Sequence, residues 1–96
     1  MKLRFSILAR SDLISIGEWI AKENPDRAAE YVFELEAACN FLTSFPLTGE
    51  KIGRYQKENL RRKVHGDYLV LYTIRTDTIY VARVIRAAQD YLRFLD

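Results

Sequence analysis

Between Leu60 and Arg86 the chain reads LRRKVHGDYLVLYTIRTDTIYVARVIR, and no other stretch is rich in β-forming residues. Its centre, Tyr68-Leu69-Val70-Leu71-Tyr72-Thr73-Ile74, carries no charge and is dense in aromatic and branched side chains, the composition of a strand covered on both faces. That predicts a central strand. Before it His65-Gly66-Asp67 supplies a turn, with Gly66 free to take positive φ, and after it Thr76-Asp77 stands between Arg75 and Thr78 at hairpin spacing. Three strands in a meander follow. Side chains alternate with period two, so Ile79, Val81, Arg83 and Ile85 of the third strand should share one face and Tyr80, Ala82, Val84 and Arg86 the other. Each face is then expected to end in an arginine.

The first half of the chain has helical periods instead. Lys2-Leu3-Arg4-Phe5 alternates polar and apolar and reads as a short first strand with Leu3 and Phe5 inward, at an edge or between the later strands. Ser6 can cap the helix that follows, in which Ala9, Leu13, Ile16 and Ile20 recur at four, three and four. Leu8, Ile14 and Trp19 lie off that stripe and widen the apolar surface. Asn24-Pro25-Asp26 ends this helix and starts another, with Asn24 as cap and Pro25 at the first helical position, and Ala28, Val32, Leu35, Cys39 and Leu42 form a matching stripe. Two matching stripes with so short a connection predict an antiparallel helical hairpin. Ser44 to Gly49 closes the second helix, and Glu50 to Asn59 reads as a polar surface connection. Ala88, Leu92 and Leu95 share a face at helical spacing and predict a short C-terminal helix.

The expected fold is α+β: one domain over residues 1–96, an N-terminal helical hairpin packed on a small, mainly antiparallel twisted sheet in the order β-α-α-β-β-β. A hydrophobic fraction of 49% and a charged fraction of 29% are ordinary for a globular chain, and no apolar run approaches the roughly 20 residues of a membrane span. The chain therefore reads as soluble and cytoplasmic. Cys39 cannot form an internal disulfide, and with His65 as the single histidine no closed zinc site is expected, nor any other metal or cofactor. Residues 1–49 carry five Lys/Arg against seven Asp/Glu, net −2, and residues 50–96 ten against six, net +4. The β-rich half is the one that would attract an acidic partner, although charge counts alone favour reading these as solvated strand-edge residues.

Signatures of catalysis are missing: there is no phosphate loop, no nucleophile elbow, no H-E-x-x-H helix and no cysteine-histidine pair at a family spacing. What remains is basic and aromatic. Arg61, Arg62, Lys63, His65, Arg83 and Arg86 share the sheet with Tyr68, Tyr72 and Tyr80, though Tyr72 and Tyr80 read as packed strand residues. Adjacent Arg61 and Arg62 must point to opposite faces, so at most one of them meets any single ligand.

Ser6-x-x-Ala9-x-x-Asp12-Leu13-x-x-Ile16, Trp19-Ile20-Ala21 and Asn24-Pro25-x-x-Ala28 resemble the helical hairpin of the ParE branch of the ParE/RelE toxin superfamily. So do Leu42-x-x-x-Pro46-x-x-Gly49, Leu60-Arg61-Arg62, Asp67-Tyr68-x-x-x-Tyr72 and Arg83-Val84-Ile85-Arg86-Ala87-Ala88-x-Asp90, in the same order over nearly the whole chain. A histidine is common in that branch where this chain has Arg86, so a cation is kept there. The resemblance implies a toxin of a bacterial type II toxin–antitoxin system, held inactive by a ParD-like antitoxin and acting on DNA gyrase without being an enzyme. The alternative is the RelE branch, which cuts messenger RNA on the ribosome. That branch places a basic residue directly after the aromatic opening the central strand and a basic cluster near the C-terminus; here those positions hold Leu69, Ala87 and Ala88. A third alternative is a folded relative that has lost its toxicity. The expected target-binding residues are Arg61, Arg62, Arg83, Arg86, Tyr91, Arg93 and Phe94, with no catalytic residue and no specific nucleic-acid binding. Leu8, Ile14 and Trp19 are the expected antitoxin contacts, since they would otherwise be bare apolar surface.

Overall fold

Over its described residues, 1–53 and 59–87, the computed structural model runs β1 (Lys2–Phe5), α1 (Ile7–Ala21), α2 (Pro25–Phe41), β2 (Glu50–Lys51), β3 (Arg61–His65), β4 (Tyr68–Arg75) and β5 (Thr78–Arg86). The strands form one sheet in the order β1-β5-β4-β3-β2. β4 is central, and Tyr68 to Thr73 are buried without a break, as the uncharged run requires. β3, β4 and β5 are the expected antiparallel meander. Gly66 takes φ +56 in the first turn, and Thr76 takes φ +47 in the second, a left-handed conformation that a branched residue seldom adopts. β1 lies at the edge, parallel to β5, with Lys2 opposite Thr78 and Phe5 opposite Val81.

Both helix starts are made as their sequences predict. Ser6 Oγ accepts from the Ala9 N–H at 2.9 Å and Asn24 Oδ1 from the Arg27 N–H at 3.1 Å. Ala9, Leu13 and Ile16 of α1 and Ala28, Leu35 and Cys39 of α2 are buried, followed by Leu42. The helices approach closely at Gly17, where a Cβ would stand 3.2 Å from Val32 Cγ2. Most of the two stripes joins Tyr68, Val70, Tyr72, Ile79 and Val81 in the main core. Cys39 is fully enclosed, and burial, reinforced by Glu36, pushes its thiol up to about 12, so it serves as apolar filling.

Glu50, Lys51 and Ile52 depart from the polar surface connection expected over Glu50 to Asn59. Glu50 and Lys51 pair with Arg62 and Arg61 as a fifth, two-residue strand, and Ile52 turns inward. It joins Leu60, Leu69, Leu71 and Ile85 in a second apolar cluster on the sheet face away from the helices. A single isoleucine among charges has no period, and its partners are distant in sequence. The predicted C-terminal helix falls outside the described residues, as do Tyr91, Arg93 and Phe94. Among the described residues no helix is long and apolar enough to cross a membrane.

Candidate interaction site at the end of the sheet

The expected alternation along β5 breaks at Ala82. β4 and β5 stay in register from Arg75 opposite Thr78 to Tyr72 opposite Val81, but Leu71 then faces Arg83, leaving Ala82 as the extra residue of a β-bulge. Beyond it the sides exchange. Val84 enters the core under the helices and Ile85 the outer cluster, the reverse of the sides that unbroken alternation from Ile79 gives them. Arg86 moves with Val84 to the helix side, where the Arg83 guanidinium also reaches Asp12, so the two arginines, expected on opposite faces, line one cleft of about 340 Å³ with Asp12, Ser15, Ile16 and Trp19 of α1 and Tyr68 of β4.

The bulge is fixed from α1. Ser6 donates its hydroxyl proton to the Ala82 carbonyl at 2.7 Å while capping its own helix. Asp12 accepts from the Val84 N–H at 2.9 Å, from Arg83 Nε at 2.8 Å and from Arg83 Nη2 at 2.9 Å. This fork-shaped pair is mostly sheltered, with side-chain exposures of 19% and 15%, and the hydrogen bond to Asp12 raises the Arg83 pKa against the opposing effect of burial. Arg86 lies opposite Tyr68 and is exposed, so of the two arginines it is the one offered to a partner.

Arg61 and Arg62 stand elsewhere, at the β2 side, and point to opposite faces as adjacent strand residues must. Arg61 Nη1 donates to the Gly49 carbonyl at 2.6 Å. Beside it the Tyr72 hydroxyl donates to the Pro46 carbonyl at 2.7 Å and accepts from the Gly49 N–H at 2.9 Å. Gly49 is needed for that approach, because a Cβ there would meet Tyr72 Oη at 2.5 Å. Arg62 pairs with Glu50 at 3.1 Å and lines a second cleft with Thr48, Lys63 and Ala87. The four arginines are thus divided between two ends of the sheet. His65 sits at the end of β3 opposite Tyr68, its ring 6.1 Å from that of Tyr31, and is not among the residues lining the cleft of Arg83 and Arg86.

Leu8, Ile14 and Trp19 are exposed as expected, at 57%, 62% and 58%, yet they serve different surfaces. Trp19 walls the arginine cleft, whereas Ile14 lines a groove of about 720 Å³ between the helices, opposite Ala29 and Phe33. Phe33, 72% exposed, was not singled out from the sequence, nor were Phe41 and Phe45, whose rings stack at 4.7 Å. The signal was present: Phe33, Ala37 and Phe41 recur every four residues, one position off the buried stripe.

The family described as ParE toxin of type II toxin–antitoxin system, parDE, matches residues 3–91. A candidate toxin of Sinorhizobium fredii, Y4kP, is 30% identical over 96 residues, covering 98% of this chain and 96% of that protein. The fold is shared with a structure of the chromosomal ParDE system from P. aeruginosa at a TM-score of 0.76 and 17% identity, over 90% of this chain and 95% of that one. With α1 clamped to a bulged β5 and the family's match running almost end to end, the chain belongs to the ParE toxins of type II toxin–antitoxin systems.

Proposed function

We propose that this toxin inhibits DNA gyrase in the cytoplasm by binding it, without cleaving RNA, and that a ParD-like antitoxin neutralises it. The observation that carries the non-enzymatic reading is the state of Asp12. It is the carboxylate set against the cleft's arginines, and Val84 N–H and two Arg83 nitrogens already occupy its oxygens. A general base must be free to take a proton within hydrogen-bond reach of its substrate, and Asp12 is committed to holding the bulge. Leu69, at the position that is basic in the nuclease branch, is 3% exposed and packed in the outer cluster. A cation there would have to be desolvated or break the cluster.

Binding asks for less. Arg86 beside Trp19 offers the arginine and aromatic pairing that anchors protein interfaces, and Tyr91, Arg93 and Phe94 follow directly in sequence. The antitoxin reading rests on Ile14 and Phe33 in the inter-helix groove and on Leu8 and Trp19, a bare apolar surface suited to an amphipathic segment. Trp19 also belongs to the arginine cleft, so an antitoxin over α1 shields that cleft from the target. The purified toxin should block gyrase supercoiling of plasmid DNA and leave ribosome-bound message intact. Cleaved message with unimpaired supercoiling would overturn the assignment.

A further inference from the structure

The sheet face away from the helices is divided. Around Leu69, Leu71 and Ile85 it is apolar and covered by Ile52 and Leu60, whereas its β1 end is cationic. Two rows cross β1, β5 and β4 there: Lys2, Thr78 and Arg75, and then Arg4, Tyr80 and Thr73. Alternation puts all six on the outer face, because Leu3, Phe5, Ile79, Val81, Tyr72 and Ile74 pack toward the helices. Arg4 and Arg75 meet no carboxylate among the described residues. The Arg75 guanidinium lies over the Tyr80 ring, 4.0 Å from its centroid. The patch's acidic neighbour is Asp77 at its corner, 3.9 Å from Lys2 and accepting from the Thr78 hydroxyl at 3.0 Å. Thr73 is 7% exposed, and its Oγ1 is the one buried side-chain polar atom without a partner among the described residues. An unpaired buried hydroxyl is a cost to the fold, and at that depth no ligand oxygen reaches it.

We propose that this face binds the phosphodiester backbone of duplex DNA without reading its sequence. Guanidinium groups interleaved with hydroxyls are the donors that phosphates take, and a net positive face with no acidic residue between its arginines attracts a polyanion. Tyr80 is half-buried and Arg75 covers its ring, so no open aromatic face remains for an unpaired base, which favours a duplex over a single strand. The patch is separate from the cleft of Arg83 and Arg86 and stands whether or not gyrase is the target. An acidic protein segment is the competing occupant; the cations crowd into two adjacent rows, and a duplex, with one charge in about 1.7 Å of its axis, matches that density better than a peptide does.

The test is fluorescence anisotropy of a labelled mixed-sequence duplex of about 20 base pairs with the full chain, over a salt series starting near 50 mM. Wild type should bind two unrelated duplexes alike. Arg4→Gln with Arg75→Gln should lower affinity at least tenfold at low salt and make the log affinity against log salt line shallower by about two, at about 0.9 for each lost phosphate contact. Thr73→Val should leave both the affinity and that slope unchanged and raise the melting temperature, since it removes an unpaired hydroxyl that lies below the binding surface. Should the double variant fail to fold, Arg4→Gln alone, on an exposed edge strand, should make the slope shallower by about one. Absence of binding by wild type near 50 mM salt, an unchanged slope in folded arginine variants, or displacement by polyglutamate as effective as by unlabelled DNA would each overturn the proposal.

Discussion

On its helix side the sheet meets two apolar stripes and forms a core in which Leu35, Cys39, Val70, Tyr72, Ile79 and Val81 have no exposed surface at all. On the other side the same strands carry a smaller cluster closed by Ile52 and Leu60, and beyond it the cations of the β1 end. Burial of β4 on both faces therefore does not mean two equal cores. One face is covered by elements with their own period, and the other by a short piece of irregular chain.

The largest test of that contrast is paired truncation. Leu35→Ala should cost about 4 kcal/mol in chemical denaturation and Leu71→Ala about 3, because the thinner outer cluster can relax around the lost volume. Equal losses would make the outer cluster a full partner in the core. Asp12→Ala should cost about 3 kcal/mol by leaving Arg83 sheltered without its carboxylate and, on the proposed function, should weaken gyrase inhibition more than Asp12→Asn, which keeps part of the hydrogen bonding to the bulge. A loss under 1 kcal/mol would mean water replaces Asp12 freely at that end.

Tyr72→Phe should cost about 1 to 2 kcal/mol, since the Pro46 carbonyl and Gly49 N–H both lose their partner at a buried point. An unchanged denaturation midpoint would show that the turn at residues 46–49 holds without the anchor. Alkali should act on the helix-side core alone. The Cys39 thiol is raised to about 12, so above about pH 9 the unfolded chain loses a proton that the folded chain keeps, and stability falls as pH rises, by about 1 kcal/mol at pH 10. Below pH 8 that contribution is complete and flat. A Cys39→Ala variant should show a shallower alkaline decline from its own lower starting stability. The smallest effect is expected on the far side of α2, where Arg27 pairs with Glu30 and Glu34 in open solvent: Arg27→Gln should leave the melting temperature in place.

Legibility in the sequence followed period and local chemistry. The uncharged run from Tyr68 to Ile74, the caps at Ser6 and Asn24 and the turn at Gly66 were all readable, because each is decided within a few residues. The side of Arg86 was not, since alternation is counted from one end and a single extra residue at Ala82 reverses it. Asp12 was legible only as a landmark of the family's helical hairpin. Its partners are more than 70 residues away, and no local pattern announces an ion pair of that span. Ile52 was missed for the same reason. The separation of Arg61 and Arg62 from Arg83 and Arg86 depends on strand order, which composition and charge leave undetermined.

The pairing of β1 with β5 also orders events during synthesis. Ser6 and Ala82, joined by a hydrogen bond, are 76 residues apart, and every backbone bond that β1 makes within the sheet waits for β5. A ribosome adds roughly 5 to 20 residues each second, so the helical hairpin emerges several seconds before the strand that completes the sheet and closes the arginine cleft. If the groove takes the antitoxin and the cleft the target, as proposed, a nascent chain with its helices formed offers the first before the second. On that reading the interval is a built-in delay between capture by the antitoxin and completion of the target-binding surface.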